Sequence, residues 1–193
     1  MNLKQAILSY QPFNGQEKID QETIQKYLQT QENLLTRENE AAHFTASAWI
    51  VNPEWTKTVM VYHHIYDSWS WVGGHADGEA NLLKVAEIEA KEETGLTIVK
   101  PVSDEIFSLE VLSVKEHWKK GKLIPEHLHL NLTFLFEAPE HALTINPEEN
   151  SAVAWILLTD VVDKSSEPEM KPIYQKLNDK LKTFSRQRGT ATI

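Results

Sequence analysis

The sequence predicts an α/β fold, because strand-type patterns lie on both sides of a helix-type pattern in its central part. Two strand-type runs, residues 43–51 and 58–64, precede that helix. Two longer ones, residues 105–114 and 128–137, follow it. We expect a helical extension over residues 1–40 and one domain over residues 41–193.

The composition is typical of a soluble globular protein. The chain has 193 residues, of which 41% are hydrophobic and 24% charged, and a net charge of −9. This acidic balance argues against general affinity for nucleic acid, and no apolar run of about 18 residues indicates a membrane span. Cysteine is absent and the N-terminus does not resemble a signal peptide, so we expect a cytoplasmic protein.

The N-terminal segment favours helix up to about Glu40, with a break at Pro12-Phe13-Asn14-Gly15. Ile24, Leu28 and Leu35 are spaced as a narrow apolar stripe along one helix face. We interpret the segment as an extension that packs on the main domain. Such an extension also suits the contacts of a homodimer.

A β-hairpin is predicted next, because Asn52-Pro53 interrupts two strand-type runs. Residues 69–72 then lead into a glycine loop that begins at Gly73-Gly74. Beyond the loop, Asn81 is a suitable helix N-cap, and Gly95 suits the left-handed residue that ends a helix.

Three glutamates cluster near the end of this predicted helix. Glu89, Glu92 and Glu93 stand at i, i+3 and i+4, so their side chains are neighbours on the helix surface. At about 100° per residue, Glu89 and Glu93 fall on the apolar side of the helix rather than with its lysines. A divalent cation that prefers oxygen ligands, Mg²⁺ or Mn²⁺, would offset their repulsion. The alternative is a charged surface helix whose inner face is partly wet.

The strand pattern over residues 128–137 alternates between apolar and polar residues. One face carries Leu128, Leu130, Leu132, Phe134 and Phe136, and the other carries His127, His129, Asn131 and Thr133. We expect the first face in the core and the second along a polar cleft. A strand over residues 152–158 follows an acidic turn, and a helix over residues 171–184 precedes a basic tail.

These residues resemble the Nudix hydrolases, whose motif is G-x5-E-x7-R-E-U-x-E-E-x-G-U, with U a bulky apolar residue. The matching positions are Gly74, Glu89, Ala90, Glu92, Glu93, Gly95 and Leu96. The resemblance extends over about residues 45–162 and includes the Gly-Gly-His-Ala-Asp-Gly sequence of a poorly characterised bacterial branch. It implies an α/β/α sandwich with a mixed β-sheet, followed by a C-terminal helix. The implied activity is Mg²⁺- or Mn²⁺-dependent hydrolysis of a diphosphate bond in a small-molecule nucleoside diphosphate derivative.

The resemblance also assigns roles to individual residues. Glu89 and Glu93 would be direct metal ligands, and the Gly73 carbonyl would be a backbone ligand. Glu92 would be a metal ligand or the general base that activates water. Glu149, in the acidic turn, is the second candidate for that base.

Two positions depart from the family motif. Ala80 stands where the first motif glutamate belongs, and Glu79 lies one residue earlier. Ile88 replaces the arginine that orients the motif glutamates. Loss of such an orienting partner weakens metal binding or turnover by roughly 10–100-fold elsewhere.

The remaining candidates are expected to contact substrate: Gly74, His75, His127, His129 and Trp71. For the histidines the order of preference is ordinary core or surface residues, then a pocket wall, then a zinc or nickel site. Trp71, like Trp69 and Tyr62, is more often a core residue than a platform for a base. The lysines at 119, 120 and 122 suit a solvated hairpin turn better than a phosphate contact.

One rival function comes from another class: a Nudix-like module that binds a nucleotide or metabolite without cleaving it. The departures at Ala80 and Ile88 favour it. No DNA-binding segment for such a sensor to control is evident in the sequence. Metal-dependent turnover on a substrate panel separates the two functions.

Overall fold

The computed structural model describes residues 2–65, 67–119 and 121–188. In chain order the described elements are α1 (Leu3–Ser9), α2 (Gly15–Thr30), β1 (Ala42–Val51), β2 (Lys57–His63), β3 (Ser68–Ser70), β4 (Val72–His75), α3 (Leu82–Thr94), β5 (Lys100–Pro101), β6 (Ser108–Val114), β7 (His117–Lys119), β8 (Lys122–Ile124), β9 (His127–Glu137), β10 (Asn150–Leu157), α4 (Val161–Lys164) and α5 (Lys171–Arg188).

Eight of these strands form one sheet, with the order β10-β2-β1-β9-β5. In addition, β3 pairs with β2, β4 with β1, and β6 with β9, while β7 and β8 form a separate hairpin. The chain divides into two compact units. The first contains the residues up to Ser47, Gly73–Ala86 and Ser103–Phe134; the second contains Ala48–Val72, Glu87–Val102 and the residues from Leu135 onward.

The N-terminal helices of the first unit are capped by side chains. The Asn2 and Asn14 carboxamides accept backbone N–H groups in the first turns of α1 and α2. The Gln21 amide donates to the carbonyls of Ile7 and Tyr10, each at 2.8 Å, and so joins α2 to the end of α1. The break between the helices agrees with the sequence prediction.

The predicted helix is too long at its C-terminal end. Helix α2 ends at Thr30, and residues 31–41 form turns rather than helix up to Glu40. Asn33 has φ of 57°, a left-handed conformation that interrupts a helix. The apolar spacing of Ile24, Leu28 and Leu35 therefore predicted too long a helix, because Leu35 lies in the turns that follow α2.

The predicted hairpin is present, because β1 and β2 pair antiparallel with Val51 opposite Thr58. The Asn52 side-chain oxygen accepts the backbone N–H groups of Thr56 and Lys57 at 2.8 and 2.9 Å. This asparagine therefore fixes the turn that joins the strands.

The two adjacent glycines were wrongly predicted to lie in a loop. Gly73 and Gly74 are in strand β4, and the turn before α3 comes after His75. A Cβ on Gly73 would lie 2.6 Å from both the Ala46 carbonyl oxygen and the Ser47 hydroxyl. Glycine is therefore needed at position 73 for close contact with Ala46 and Ser47, the part of β1 that belongs to the same unit.

Helix α3 has the predicted ends. The Asn81 side chain accepts the Lys84 backbone N–H at 3.3 Å, and Gly95 has φ of 71°. A Cβ on Gly95 would also lie 2.8 Å from Thr144. Both the N-cap and the left-handed terminator therefore agree with the sequence prediction.

The polar face of β9 does not line a cleft. Asn131 and Thr133 are buried in the first unit, where β6 pairs with β9 and α2 packs against β6. The Asn131 amide donates to Glu110 at 2.9 Å, and its oxygen accepts from Thr45 and Ser47 at 3.0 and 2.9 Å. Mutual hydrogen bonds thus replace the water that a cleft would have supplied.

The second unit is built on the antiparallel pair β10 and β2, with helix α5 in the same unit. Tyr174 of α5 is buried; its ring stacks on Trp49, and its hydroxyl accepts the Trp71 backbone N–H at 3.2 Å. The short elements β7, β8 and α4 were not predicted as such. Position 120 and the last five residues of the predicted basic tail lie outside the described residues.

Within the part of the chain that the structure describes, no helix has both the length and the apolar character needed to cross a membrane.

Candidate active site

Three carboxylates converge in the second unit. Glu89, Glu93 and Glu149 each offer an oxygen, and these three oxygens lie within 4.8 Å of one another. Two of the residues come from the last turns of α3, and the third comes from the turn before β10. The sequence had named all three, Glu149 only as a second candidate for the general base.

Helix phase accounts for the first two carboxylates. Glu93 is 2% exposed and Glu89 is half-buried, whereas Lys91, on the opposite side of the helix, is exposed. Lys91 instead pairs with Glu87 one turn earlier, at 2.5 Å. The predicted inward direction of Glu89 and Glu93 is therefore the one observed.

A compact turn positions the third carboxylate. The backbone N–H groups of Glu149 and Asn150 both donate to the Asn146 carbonyl, at 3.1 and 2.8 Å. The Glu149 carbonyl accepts the His64 backbone N–H at 3.1 Å, which ties the turn to the end of β2. A register shift between Asn150 and Ala152 marks the start of β10.

Asn150 connects this turn directly to the helix. Its side-chain amide donates to a Glu93 carboxylate oxygen at 3.0 Å, and the residue is fully buried. Such a hydrogen bond favours the ionised carboxylate and fixes its orientation. Sequence reasoning missed this residue, because Asn150 was identified only as the end of an acidic turn.

The arrangement fits a hard divalent cation. Mg²⁺ binds oxygens at about 2.0–2.1 Å in octahedral geometry, so adjacent ligand oxygens lie about 2.9 Å apart. Oxygens within 4.8 Å of one another can reach that spacing by side-chain rotation. All three donors are carboxylates, the ligand type that Mg²⁺ and Mn²⁺ prefer.

The other predicted acidic residue is placed differently. Glu92 is exposed on α3 and is not a member of the converging group. Ile88, which replaces the motif arginine, is 42% exposed. In the first unit, Glu79 forms an ion pair with Lys84 at 2.7 Å, and this hydrogen bond holds the pKa of the Glu79 carboxyl below its ordinary value.

The histidines form a second cluster, in the first unit. His43, His75 and His129 each offer a ring nitrogen within 4.8 Å of the other two. Sequence analysis had named His75, His127 and His129 as candidates, for substrate contact and less favourably for a zinc or nickel site, and had missed His43. Alternation along β1 would have revealed it, because His43 shares a strand face with Thr45 and Ser47.

Comparison with known proteins identifies the family. The NUDIX domain family matches residues 41–177, and the α/β fold with a mixed β-sheet agrees with this match. The chain belongs to the NUDIX family. Its membership confirms the predicted fold class and supports the activity of a pyrophosphohydrolase on nucleotide-like substrates.

Solved structures show the same fold at low sequence identity. A Caenorhabditis elegans Ap4A hydrolase is 19% identical with a TM-score of 0.55, over 75% of this chain and 98% of that one. A Mycobacterium smegmatis Nudix hydrolase, RenU, is 18% identical with a TM-score of 0.53, over 71% and 84%. The Escherichia coli dihydroneopterin triphosphate pyrophosphohydrolase is 12% identical with a TM-score of 0.52, over 69% and 92%. No curated protein sequence matches.

Proposed function

We propose that this protein is a Mg²⁺- or Mn²⁺-dependent pyrophosphohydrolase that cleaves the diphosphate bond of a nucleoside diphosphate linked to another group. One observation carries the proposal: carboxylate oxygens of Glu89, Glu93 and Glu149 lie within 4.8 Å of one another. Ionised carboxylates at such distances repel one another, and a divalent cation bound between them would offset that repulsion.

Glu89 and Glu93 would hold the cation, and the Asn150 amide orients Glu93. The bound cation would neutralise phosphate oxygens and lower the pKa of a water molecule. Glu149 is the exposed member of the group, so water can reach it. We assign Glu149 as the base that accepts the proton of the attacking water, while the bridging phosphorus–oxygen bond breaks and the leaving phosphate keeps the electron pair.

Several earlier assignments stay predictions. Glu92 as ligand or base is one, although Glu149 is the better candidate because it belongs to the converging group and Glu92 does not. The others are the Gly73 carbonyl as a ligand, and the substrate contacts predicted for Gly74, Trp71, His75, His127 and His129. The hydrogen bond between the Trp71 backbone and Tyr174 gives Trp71 a packing role whether or not it contacts substrate.

The decisive experiment compares two glutamates of the same helix. Glu93→Gln removes a buried carboxylate of the converging group, whereas Glu87→Gln removes one that pairs with Lys91 on the other side. We expect Glu93→Gln to lose Mg²⁺-dependent turnover by about 100-fold or more, since a bound cation supplies several kcal/mol. Glu87→Gln should retain the wild-type rate. Equal rates in the two variants would refute the site.

The substrate panel should sample the phosphate chain and the group attached to it. Nucleoside diphosphate sugars, ADP-ribose, dinucleoside polyphosphates and nucleoside triphosphates cover the class. The similar structures include an Ap4A hydrolase and a dihydroneopterin triphosphate pyrophosphohydrolase, which justifies including dinucleotides and a pterin triphosphate. At these identities the similarity shows the fold alone, so turnover must decide among them.

A second candidate function is nucleotide binding without cleavage. The isoleucine at position 88 favours it, because no guanidinium at this position orients the glutamates. Submicromolar binding of a panel member in Mg²⁺, with no product released after prolonged incubation, would establish the binding module. Release of product that requires Mg²⁺ and Glu93 would establish the hydrolase.

A further inference from the structure

We infer that His43, His75 and His129 form a binding site for a divalent transition-metal ion of the Zn²⁺ type, separate in its ligands from the carboxylate group. The three residues come from β1, β4 and β9, and all lie in the first unit. A nitrogen of each ring lies within 4.8 Å of a nitrogen of the other two.

The ring positions match a shared ion. The ring centres are 5.1 Å apart for His43 and His75, 5.1 Å for His43 and His129, and 4.9 Å for His75 and His129. Zn–N bonds of about 2.0–2.1 Å in tetrahedral geometry separate ligand nitrogens by about 3.4 Å and ring centres by about 5 Å. The ring centres are therefore spaced as those of three ligands to one ion would be.

A buried, unpartnered nitrogen supplies independent support. His43 is 4% exposed, and its Nδ1 lies 3.1 Å from the Asn39 carbonyl, which only an N–H can satisfy. The proton is thus on Nδ1, and Nε2 carries a lone pair. Nε2 is buried and has no hydrogen-bond partner among the described residues. An unsatisfied buried acceptor is costly, and a metal ion would satisfy it.

His127 orients one of the proposed ligands. Its Nδ1 lies 2.8 Å from the Pro125 carbonyl, so its Nε2 carries a lone pair. That Nε2 lies 3.2 Å from the His129 Nε2, which must therefore be the donor. His129 is left with a lone pair on Nδ1 for a metal. Fixing the tautomer of a ligand through its other nitrogen is the usual arrangement around bound zinc.

The protonation states also suit metal binding. Burial lowers the pKa of His43, and burial together with the neighbouring histidines lowers the pKa of His129 to about 2. Both imidazoles are neutral at physiological pH, as ligation requires. The Asp77 carboxylate is held by Arg37 through two hydrogen bonds, so we do not expect it to bind the ion. Water or an exogenous ligand would take the fourth position.

The test is a titration of the purified full-length protein with Zn²⁺ in millimolar Mg²⁺, which keeps the carboxylate group occupied. We expect one Zn²⁺ per chain in the wild type, and Co²⁺ in its place should give the visible spectrum of a four-coordinate site with three nitrogen ligands. His43→Asn retains a donor to the Asn39 carbonyl but removes the Nε2 ligand, and His75→Ala removes a half-buried ligand. Each should weaken Zn²⁺ binding by about 100-fold or more.

Control variants make the result specific. His141→Ala removes an exposed histidine outside the cluster, and Glu93→Gln removes a carboxylate ligand; both should bind Zn²⁺ as the wild type does. His127→Phe should still bind one Zn²⁺ but about 10–100-fold more weakly. Circular dichroism checks folding, and His75→Ala replaces His43→Asn if the latter unfolds. Wild-type Zn²⁺ affinity in folded His75→Ala, or Zn²⁺ binding lost in Glu93→Gln, would overturn the inference.

Discussion

Asn131, Glu110, Thr45, Ser47 and Thr133 form a buried polar layer in the first unit, in which their side chains are hydrogen-bonded to one another. We predict that changing Asn131 to aspartate, which exchanges one nitrogen for one oxygen, will strongly destabilise the protein. Asn131 is 1% exposed, and its amide nitrogen donates to Glu110 at 2.9 Å and to Thr133 at 3.1 Å. Asn131→Asp preserves the shape of the side chain but replaces both donors with a carboxylate. The Glu110 carboxylate, itself 1% exposed, then faces a second acid.

The magnitude follows from three contributions. A lost hydrogen bond to a charged group costs about 1.5–3 kcal/mol, and a neutral one costs about 1 kcal/mol. Repulsion between the two acids adds to this, and breaking buried charged networks typically costs about 3–5 kcal/mol in total. We therefore expect the free energy of unfolding to fall by about 4 kcal/mol at pH 7, out of the roughly 5–15 kcal/mol typical of a domain.

Urea denaturation followed by far-ultraviolet circular dichroism measures this change. The matched control is Thr45→Val, which removes the hydroxyl that donates to Asn131 at 3.0 Å and introduces no charge. This control should lose only about 1 kcal/mol. If Asn131→Asp is no less stable than Thr45→Val, the reasoning is wrong, because losing the amide donors would then cost no more than losing one hydroxyl.

Three further predictions concern other parts of the chain. Asn150→Ala removes the donor to Glu93 and should weaken Mg²⁺ binding, measured by calorimetry, by about 10–100-fold while turnover persists at saturating Mg²⁺. Gly73→Ala places a Cβ 2.6 Å from the Ser47 hydroxyl, so the midpoint of thermal unfolding should fall, with a loss of about 1–3 kcal/mol. Burial raises the pKa of Glu167, so ionisation of this carboxyl opposes folding as the pH rises above about 4.3. Glu167→Gln should therefore be more stable than the wild type at pH 7, by at most about 1 kcal/mol. At pH 3 the two proteins should be equally stable.

Helix α3 could be predicted from sequence because its determinants are local. The cap at Asn81, the left-handed Gly95 and the phase of Glu89 all depend on residues within a few positions of one another. The convergence of Glu149 with Glu89 could not be predicted this way. It depends on a hydrogen bond between the turn and His64, a residue more than eighty positions earlier in the chain.

The strands show a different limit. Alternation correctly predicted which residues of β9 share a face, but it could not tell whether water or protein covers that face. Helix α2 contributes to the same buried region, because the buried Glu17 carboxylate accepts from Ser108 of the neighbouring strand β6 at 2.8 Å. This helix belongs to the segment that was interpreted from sequence as an extension. Its contribution of a buried carboxylate was therefore not predicted.

The same strand periodicity connects the buried layer to the histidines. On β1, His43 precedes Thr45 and Ser47 on one face, and on β9, His127 and His129 precede Asn131 on one face. Toward Asn131 the polar groups satisfy one another, whereas at His43 a buried nitrogen keeps an unshared lone pair. Carboxylate oxygens select hard cations and imidazole nitrogens select zinc and its neighbours. The proposed carboxylate site would therefore favour Mg²⁺ or Mn²⁺, and the proposed histidine site would favour an ion of the Zn²⁺ type, because the two ligand groups differ in chemistry.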